Sequence, residues 1–399
     1  MNLTNELIRQ LYYSDGLSVA ELSAYTGKSI PKVTSELNKL LAEKLLVEDG
    51  FAASTGGRRA MRYSLCEDHL PSIVAIAIDQ FYTSIAILDA KNVELVPTEK
   101  ISTDIYHDKE AFVRIIAKTK EQLSHLTEEK KQHCIVGVTM PGFVDSEKGI
   151  NQSFSSSSPF HKIKENVQRS LGHPTSVAND SSAIAIAEHK FGNGQGCADL
   201  LVVNFNWGVG LGMIIGNNLY RGHSGYAGEF SHIPLANSQK LCSCGKKGCL
   251  EVEASLVSML EAINHALTEG QASCLQAIAA VRGEVVLEDV ISAFGQGDQV
   301  ALVAVKDIMH MLGKGLSTLI HIMNPERIIV SGKAVGFGDG LLPALFSSIQ
   351  EYCIPRLSRL TDISVSQLPH TQIIASACIA MQQSIHIHPK LIHNNLQQL

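Results

Sequence analysis

The chain has no apolar run of about 18 residues, the length that a membrane-spanning helix needs. Its N-terminus also has no basic stretch leading into an apolar one, the pattern of a secretory signal. Both absences predict a cytoplasmic protein with no membrane insertion. Positive charge is scarce: 33 Lys and Arg face 39 Asp and Glu, a formal net charge of -6, which excludes a protein that coats nucleic acid at large. A disulfide framework is missing too. Cys66, Cys134, Cys197, Cys274, Cys353 and Cys378 are scattered, as buried small hydrophobes are in a reducing compartment. Only Cys242, Cys244 and Cys249 fall close together, and they need a different explanation.

What is present suffices for two or three domains: 399 residues, 45% hydrophobic and 18% charged, the composition of a soluble globular chain. Charge is unevenly placed. Residues 1–66 hold 8 Lys and Arg against 7 Asp and Glu, and the remainder holds 25 against 32. A near-neutral head therefore precedes an acidic body, and DNA would be repelled except where basic residues are locally presented.

The head reads as a winged helix-turn-helix. Ile8 and Leu11 give a first helix its apolar stripe. Ser18 and Glu21 form a capping box, opening a helix that is expected to turn Val19, Leu22 and Tyr25 inward. Gly27 permits the left-handed turn between helices. Ser29 can cap the next helix, and Pro31 is tolerated in its first turn. That helix buries Val33, Leu37 and Leu40 and leaves Lys28, Ser29, Lys32, Thr34, Ser35, Asn38 and Lys39 on or beside its other face. Such a face suits a major groove. Two short strands, Leu45 to Glu48 and Met61 to Leu65, flank a glycine-basic loop and make the wing. Gly56 and Gly57 let the backbone approach DNA, and Arg58, Arg59 and Arg62 are expected to reach phosphates or the minor groove.

Beyond Pro71 strand and helix patterns alternate, which predicts an α/β body. Glycine-rich turns recur at Thr139 to Gly142, Asn206 to Gly212 and Ser331 to Gly340, and suit an anionic or polyhydroxylated ligand. Asn179 and Asp180 follow a short strand, Thr175 to Ala178, where Asp180 can accept a hydroxyl hydrogen bond, act as a base or simply cap the following helix. Cys242, Cys244 and Cys249 form a knuckle that His232 can complete as a closed Cys3His set, the ligand set of a structural Zn2+. Three close thiols without a metal would be an oxidation liability. The knuckle would hold Glu229 and Glu251 rigid enough to grip sugar hydroxyls.

Together these residues resemble the ROK family (repressors, open reading frames and sugar kinases), over nearly the whole chain. The segment Gly228 to His232 followed by Cys242 to Glu251 is similar to its GExGH…CxCGxxGCxE signature, with Ser231 in place of a glycine. Asn179, Asp180 and Glu188 resemble its second mark, and Asn324 to Gly332 its late strand and glycine loop. The resemblance implies an actin-like pair of ribonuclease-H-type lobes around a ligand cleft: 1–66 as head, 67–72 as linker, 73–180 as first lobe and 181–399 as second, with the knuckle at 232–249 and a final helix returning to the first lobe. It also implies sugar contacts from Asn179, Asp180, Glu229, His232 and Glu251.

Departures from the kinase pattern place the chain with the family's regulators, of the Mlc, NagC and xylose-repressor type. Kinases have Asp-x-Gly-Gly-Thr at the first phosphate loop; here it is Asp79 to Thr83, where Phe81 and Tyr82 would crowd a triphosphate. Trp207 replaces a small hydroxyl residue in the second loop, and Ser155 to Phe160 replaces an Asn-Leu-Pro-Gly-Trp-like stretch. Asp180, the base of the kinases, is retained here as a vestige, because phosphoryl transfer depends on positioning the donor. The expectation is a non-enzymatic repressor of sugar uptake or catabolism genes. It would bind operator DNA as a homodimer or dimer of dimers and respond to a sugar or sugar phosphate. An active ATP-dependent sugar kinase with a DNA-binding head, or a regulator answering to a partner protein, are the alternatives.

Overall fold

The computed structural model describes residues 3–51, 59–236 and 238–383. Gly56, Gly57 and Arg58 of the expected wing lie outside the described residues. The chain forms two compact units. The first takes the chain up to Ala183 and again from Gln372, and the second holds Ile184–Thr371.

The first unit begins with the head: α1 (Leu3–Tyr12), β1 (Leu17–Ser18), α2 (Val19–Thr26), α3 (Ile30–Ala42), β2 (Leu46–Phe51) and β3 (Met61–Leu65). Leu7, Ile8, Leu11, Leu22, Val33, Leu37 and Leu40 make its core, each at most 2% exposed. Strand β3 pairs antiparallel with both β2 and β1, with Leu17 opposite Tyr63 and Ser18 opposite Arg62. The strand β1 is too short to announce itself in sequence.

The rest of the first unit is a five-stranded sheet of order β10-β7-β4-β5-β6. Strands β4 (Ser72–Ile78), β5 (Tyr82–Leu88) and β6 (Glu94–Ser102) form an antiparallel meander; β7 (Cys134–Met140) and β10 (Thr175–Asn179) extend it in parallel from β4. Strands β4 and β7 are buried along their whole length, the reason that Ile73 to Ile78 reads as an unbroken apolar run. Helices α4 (Ala111–Ser124) and α6 (Ile163–Leu171) contribute Ile115, Ile116, Ile163 and Val167 to the core, with the short α5 (Glu128–Gln132) and the hairpin β8 (Val144–Asp145) and β9 (Ile150–Asn151) between elements. Helix α7 (Asp180–Phe191) carries the chain into the second unit, and α14 (Thr371–Gln383) brings it back. Helix α14 lies so close to β7 that a Cβ on Gly137 would fall 1.9 Å from the carbonyl oxygen of Ser376.

The second unit repeats the plan. Its sheet has the order β13-β12-β11-β14-β15, with β11 (Leu200–Phe205), β12 (Val209–Ile215) and β13 (Asn218–Leu219) antiparallel, and β14 (Arg327–Ser331) and β15 (Asp362–Val365) added in parallel. Helices α8 (Leu256–Thr268), α9 (Leu275–Arg282), α10 (Leu287–Gly295), α11 (Gln299–Met323), α12 (Leu342–Tyr352) and α13 (Pro355–Ser358) complete it. The 25-residue α11 supplies Met309, Leu312 and Leu316 against Phe205, Leu250 and Val330. In both units three antiparallel strands are followed by two parallel ones on the first strand's free edge, the ribonuclease-H-type arrangement.

Candidate functional sites

In the head, the Ser18 hydroxyl accepts from the Glu21 backbone N–H at 3.3 Å, and the Glu21 carboxylate accepts from the Ser18 N–H at 2.8 Å. The Ser18 N–H and, at 2.7 Å, the Ser18 hydroxyl both donate to the Glu21 carboxylate and hold it below the usual range. Gly27 closes α2 at φ 63°, left-handed as expected. Lys28, Ser29, Lys32, Ser35, Asn38 and Lys39 are exposed, whereas Thr34 is half-buried. Ser29 occupies the N-cap of α3 but makes no side-chain cap bond there. Tyr25, expected inward, is 61% exposed. Arg59 is exposed. Arg62 is turned back onto the head, its Nη2 and Nε donating to the Gly16 carbonyl at 2.6 and 3.2 Å, so those donors hold β3 to the turn before β1.

At the end of β10, Asn179 rather than Asp180 makes the capping bond to the third helical residue: its Oδ1 accepts from Ser182 N–H at 3.1 Å. Its Nδ2 donates to the Gly142 carbonyl at 3.1 Å. The loop after β7 is pinned twice more, by Asn151 donating to the Pro141 carbonyl at 2.9 Å and by Phe143 N–H donating to Ser153 Oγ at 2.9 Å. Asp180 opens α7, half-buried, with Oδ1 accepting from Ser181 N–H at 2.8 Å. Sequence reasoning missed the aromatic group in this unit, where the Tyr106 ring stacks on Phe154 at 5.3 Å and Phe154 meets Phe160.

The first phosphate-loop position is a tight β4–β5 turn. Asp79 N–H donates to the Tyr82 carbonyl at 2.8 Å, while the carbonyls of Phe81 and Gln80 accept from Thr103 and Ile105. Tyr82 belongs to strand β5 rather than to the loop, and its ring carries the Lys100 ammonium at 4.3 Å.

In the second unit the knuckle gathers four ligand atoms within 4.8 Å of one another: one each from His232, Cys242, Cys244 and Cys249. His232 Nδ1 lies 3.4 Å from Cys242 Sγ, and Cys244 Sγ lies 3.6 Å from Cys249 Sγ. A tetrahedral ion with bonds of about 2.0–2.3 Å has ligand–ligand edges of about 3.3–3.8 Å, so these separations fit one. Burial and the adjoining thiols push Cys249 up to about 12. The separations and the three sulfur and one imidazole donors let this set hold a metal ion, which takes its thiols as thiolates. The other His232 nitrogen, Nε2, faces Glu229 Oε2 at 3.7 Å. Burial pushes the Glu229 carboxyl up, His232 pulls it down and Glu251 adds to the rise. Glu251 accepts from Val209 N–H at 3.4 Å, and a Cβ at Gly208 would lie 2.4 Å from Glu251 Oε1, so a larger residue there would push the carboxylate aside. The glycine-rich turn after β11 thus serves the carboxylate. The knuckle is fastened to α11 by Lys314 donating to the Leu235 carbonyl at 2.9 Å and by Leu250 against Gly315.

A helix-turn-helix head joined to two ribonuclease-H-type units, the second bearing a Cys3His knuckle beside two carboxylates, defines a sugar-kinase-like fold with an added N-terminal head. The chain belongs to the ROK family, whose sequence profile matches residues 73–382. It is 29% identical over 371 residues to the xylose repressor of Caldicellulosiruptor bescii, covering 92% of this chain and 91% of that one. It is likewise 29% identical to the glucokinase of Halalkalibacterium halodurans, but over 251 residues, 62% of this chain. A solved ROK family transcriptional regulator, a homologue of the Escherichia coli Mlc protein, shares the fold over 100% of both chains, with a TM-score of 0.76 and 21% identity. Among the described residues no helix is long and apolar enough to cross a membrane.

Proposed function

We propose that the chain is a sequence-specific DNA-binding transcriptional regulator, a repressor of sugar uptake or catabolism genes that a sugar or sugar phosphate releases from its operator. The observation that carries this reading is coverage. The repressor relative aligns over 92% of the chain, too much to leave out the head, whereas the glucokinase relative aligns over 62%. The exposed polar face of α3 supports it, and so does the β4–β5 turn, where the N–H of Asp79 donates to the Tyr82 carbonyl and that of Gln80 to the Asp79 carboxylate, so neither is offered to a phosphate.

Lys28, Ser29, Lys32, Thr34, Ser35, Asn38 and Lys39 are the candidate contacts to operator DNA, with Arg58 and Arg59 on phosphates; Arg62 supports the head that carries them. On the second unit Glu229, His232 and Glu251 are the candidate effector contacts, and on the first Asn179 and Asp180. The metal of the knuckle is Zn2+, one per chain, because three thiolates and an imidazole select it over harder ions. Two heads on a palindromic operator need a homodimer or a dimer of dimers.

The test uses the full chain. Duplexes retained from a randomised pool are sequenced, and the tightest is titrated with a panel of pentoses, hexoses, amino sugars and their phosphates. Retention of a defined sequence, weakened about 5- to 150-fold by one sugar class, is expected. ATP-dependent phosphorylation of that sugar well above background would return the chain to the kinases. Specific DNA binding with no response to any sugar would shift the effector to a protein partner.

A further inference from the structure

The tip of the reader helix has unusual chemistry for a groove. Helix α3 contains no arginine, the side chain that most often reads guanine. Lys39 is paired with Glu36 at 2.9 Å. The Thr34 hydroxyl donates to the Ile30 carbonyl at 2.9 Å and is thereby held along the helix. At the tip stand two apolar residues. Ile30 is 55% exposed, and Pro31 beside it is exposed as well. The core does not need them, because Val33, Leu37 and Leu40 already fill the buried face at 0–1% exposure. Tyr25, 61% exposed, stands on the other side of the same turn. This apolar tip is continuous with the exposed Ser35 and Asn38 of the reading face.

We propose that Ile30, flanked by Pro31, reads the C5 methyl of a thymine in the major groove, so that each half-site carries a thymine fixed by the tip of α3. The inference rests on the DNA-binding reading above and names part of what that reader recognises. The first residues of a recognition helix are those that reach base edges. The thymine methyl is the apolar group on the major-groove edge, and an aliphatic side chain can pair with nothing else there. Burying one methyl against Ile30 removes both apolar surfaces from water.

The experiment takes the tightest duplex from the randomised pool and remakes it with 2′-deoxyuridine for thymidine at each position in turn, which removes one methyl and nothing else. With the native chain, one position in the half-site is expected to lose about 3- to 5-fold in affinity. With Ile30→Ala that same substitution is expected to cost nothing further, while the thermal midpoint stays unchanged because Ile30 lies outside the core. If every uracil is tolerated by the native chain, or if the penalty persists undiminished in Ile30→Ala, the inference is overturned and the DNA-binding reading stands. If no duplex is retained above non-specific level, the DNA-binding reading itself falls and takes this one with it.

Discussion

Glu188 shows how a residue in a family motif can serve the fold itself. Its side chain is fully buried, and Oε1 accepts from the hydroxyls of Ser331, at 3.0 Å, and of Ser366. Ser331 ends β14 and Ser366 follows β15, so one carboxyl ties α7 to the ends of both parallel strands. Burial pushes this carboxyl up, against the pull of its hydrogen bonds. With the folded pKa above the unfolded one, the stabilisation is full below the unfolded pKa and is lost as pH rises through the folded value. Glu188→Gln keeps one oxygen for the two hydroxyls and removes the titration. Urea unfolding from about pH 4 to about pH 7 is expected to show the Gln variant gaining on the native chain as pH rises. Equal pH slopes would refute this. Glu188→Leu removes the acceptor of both buried hydroxyl protons and should cost about 2–4 kcal/mol.

At the scale of elements, what was legible in the sequence depended on how local the cause is. Helix α2 carries its capping box and its glycine stop within ten residues, and the knuckle's ligands lie within eighteen, so pattern alone placed them. The unbroken apolar runs of β4 and β7 follow from burial of both faces. Tyr25 was misjudged because Val19, Leu22 and Tyr25 step three residues at a time, and each step turns about 60° away from the starting face. The partners of Glu188 could not be read at all, since Ser331 and Ser366 lie 143 and 178 residues further on.

The knuckle gives the sharpest test at this scale. Cys244 is its exposed ligand, so Cys244→Ser removes a sulfur without opening a cavity. Elemental analysis is expected to fall from one zinc per chain to a small fraction. The loss of metal-linked folding energy should lower the melting temperature. Trp207, the only tryptophan, adjoins Gly208 in the turn that receives Glu251, so its emission should shift as well. Full metal content with unchanged melting would show that the four residues hold no ion.

For the whole molecule, the consequential fact is that the head belongs to the same compact unit as the first sheet. Residues 67–72 are no free tether: Glu67–His69 forms a short helical turn, Ser72 already opens β4, and Glu67 pairs with Lys91. Helix α1 is docked at two further points. Arg9 Nε donates to the Met381 carbonyl of α14 at 2.9 Å, and the Tyr12 hydroxyl donates to Asn92 Oδ1, beyond β5, at 2.6 Å. Tyr12 and Tyr13 meet edge to face at 5.0 Å, and burial beside Cys378 pushes both hydroxyls well up. A signal reaching α14 can therefore move the reader helix only if this joint is stiff, since an effector shifts an equilibrium no further than the contacts it changes. Arg9→Ala with Tyr12→Phe removes two hydrogen bonds worth about 1 kcal/mol each. Amide exchange in α2 and α3 is expected to quicken about 10- to 30-fold, with the second unit unaffected. The same variant should hold its operator nearly as tightly as the native chain while losing most of its release by sugar. Unchanged exchange would mean that the head is held by its own core alone, and unchanged release would move the coupling away from the joint.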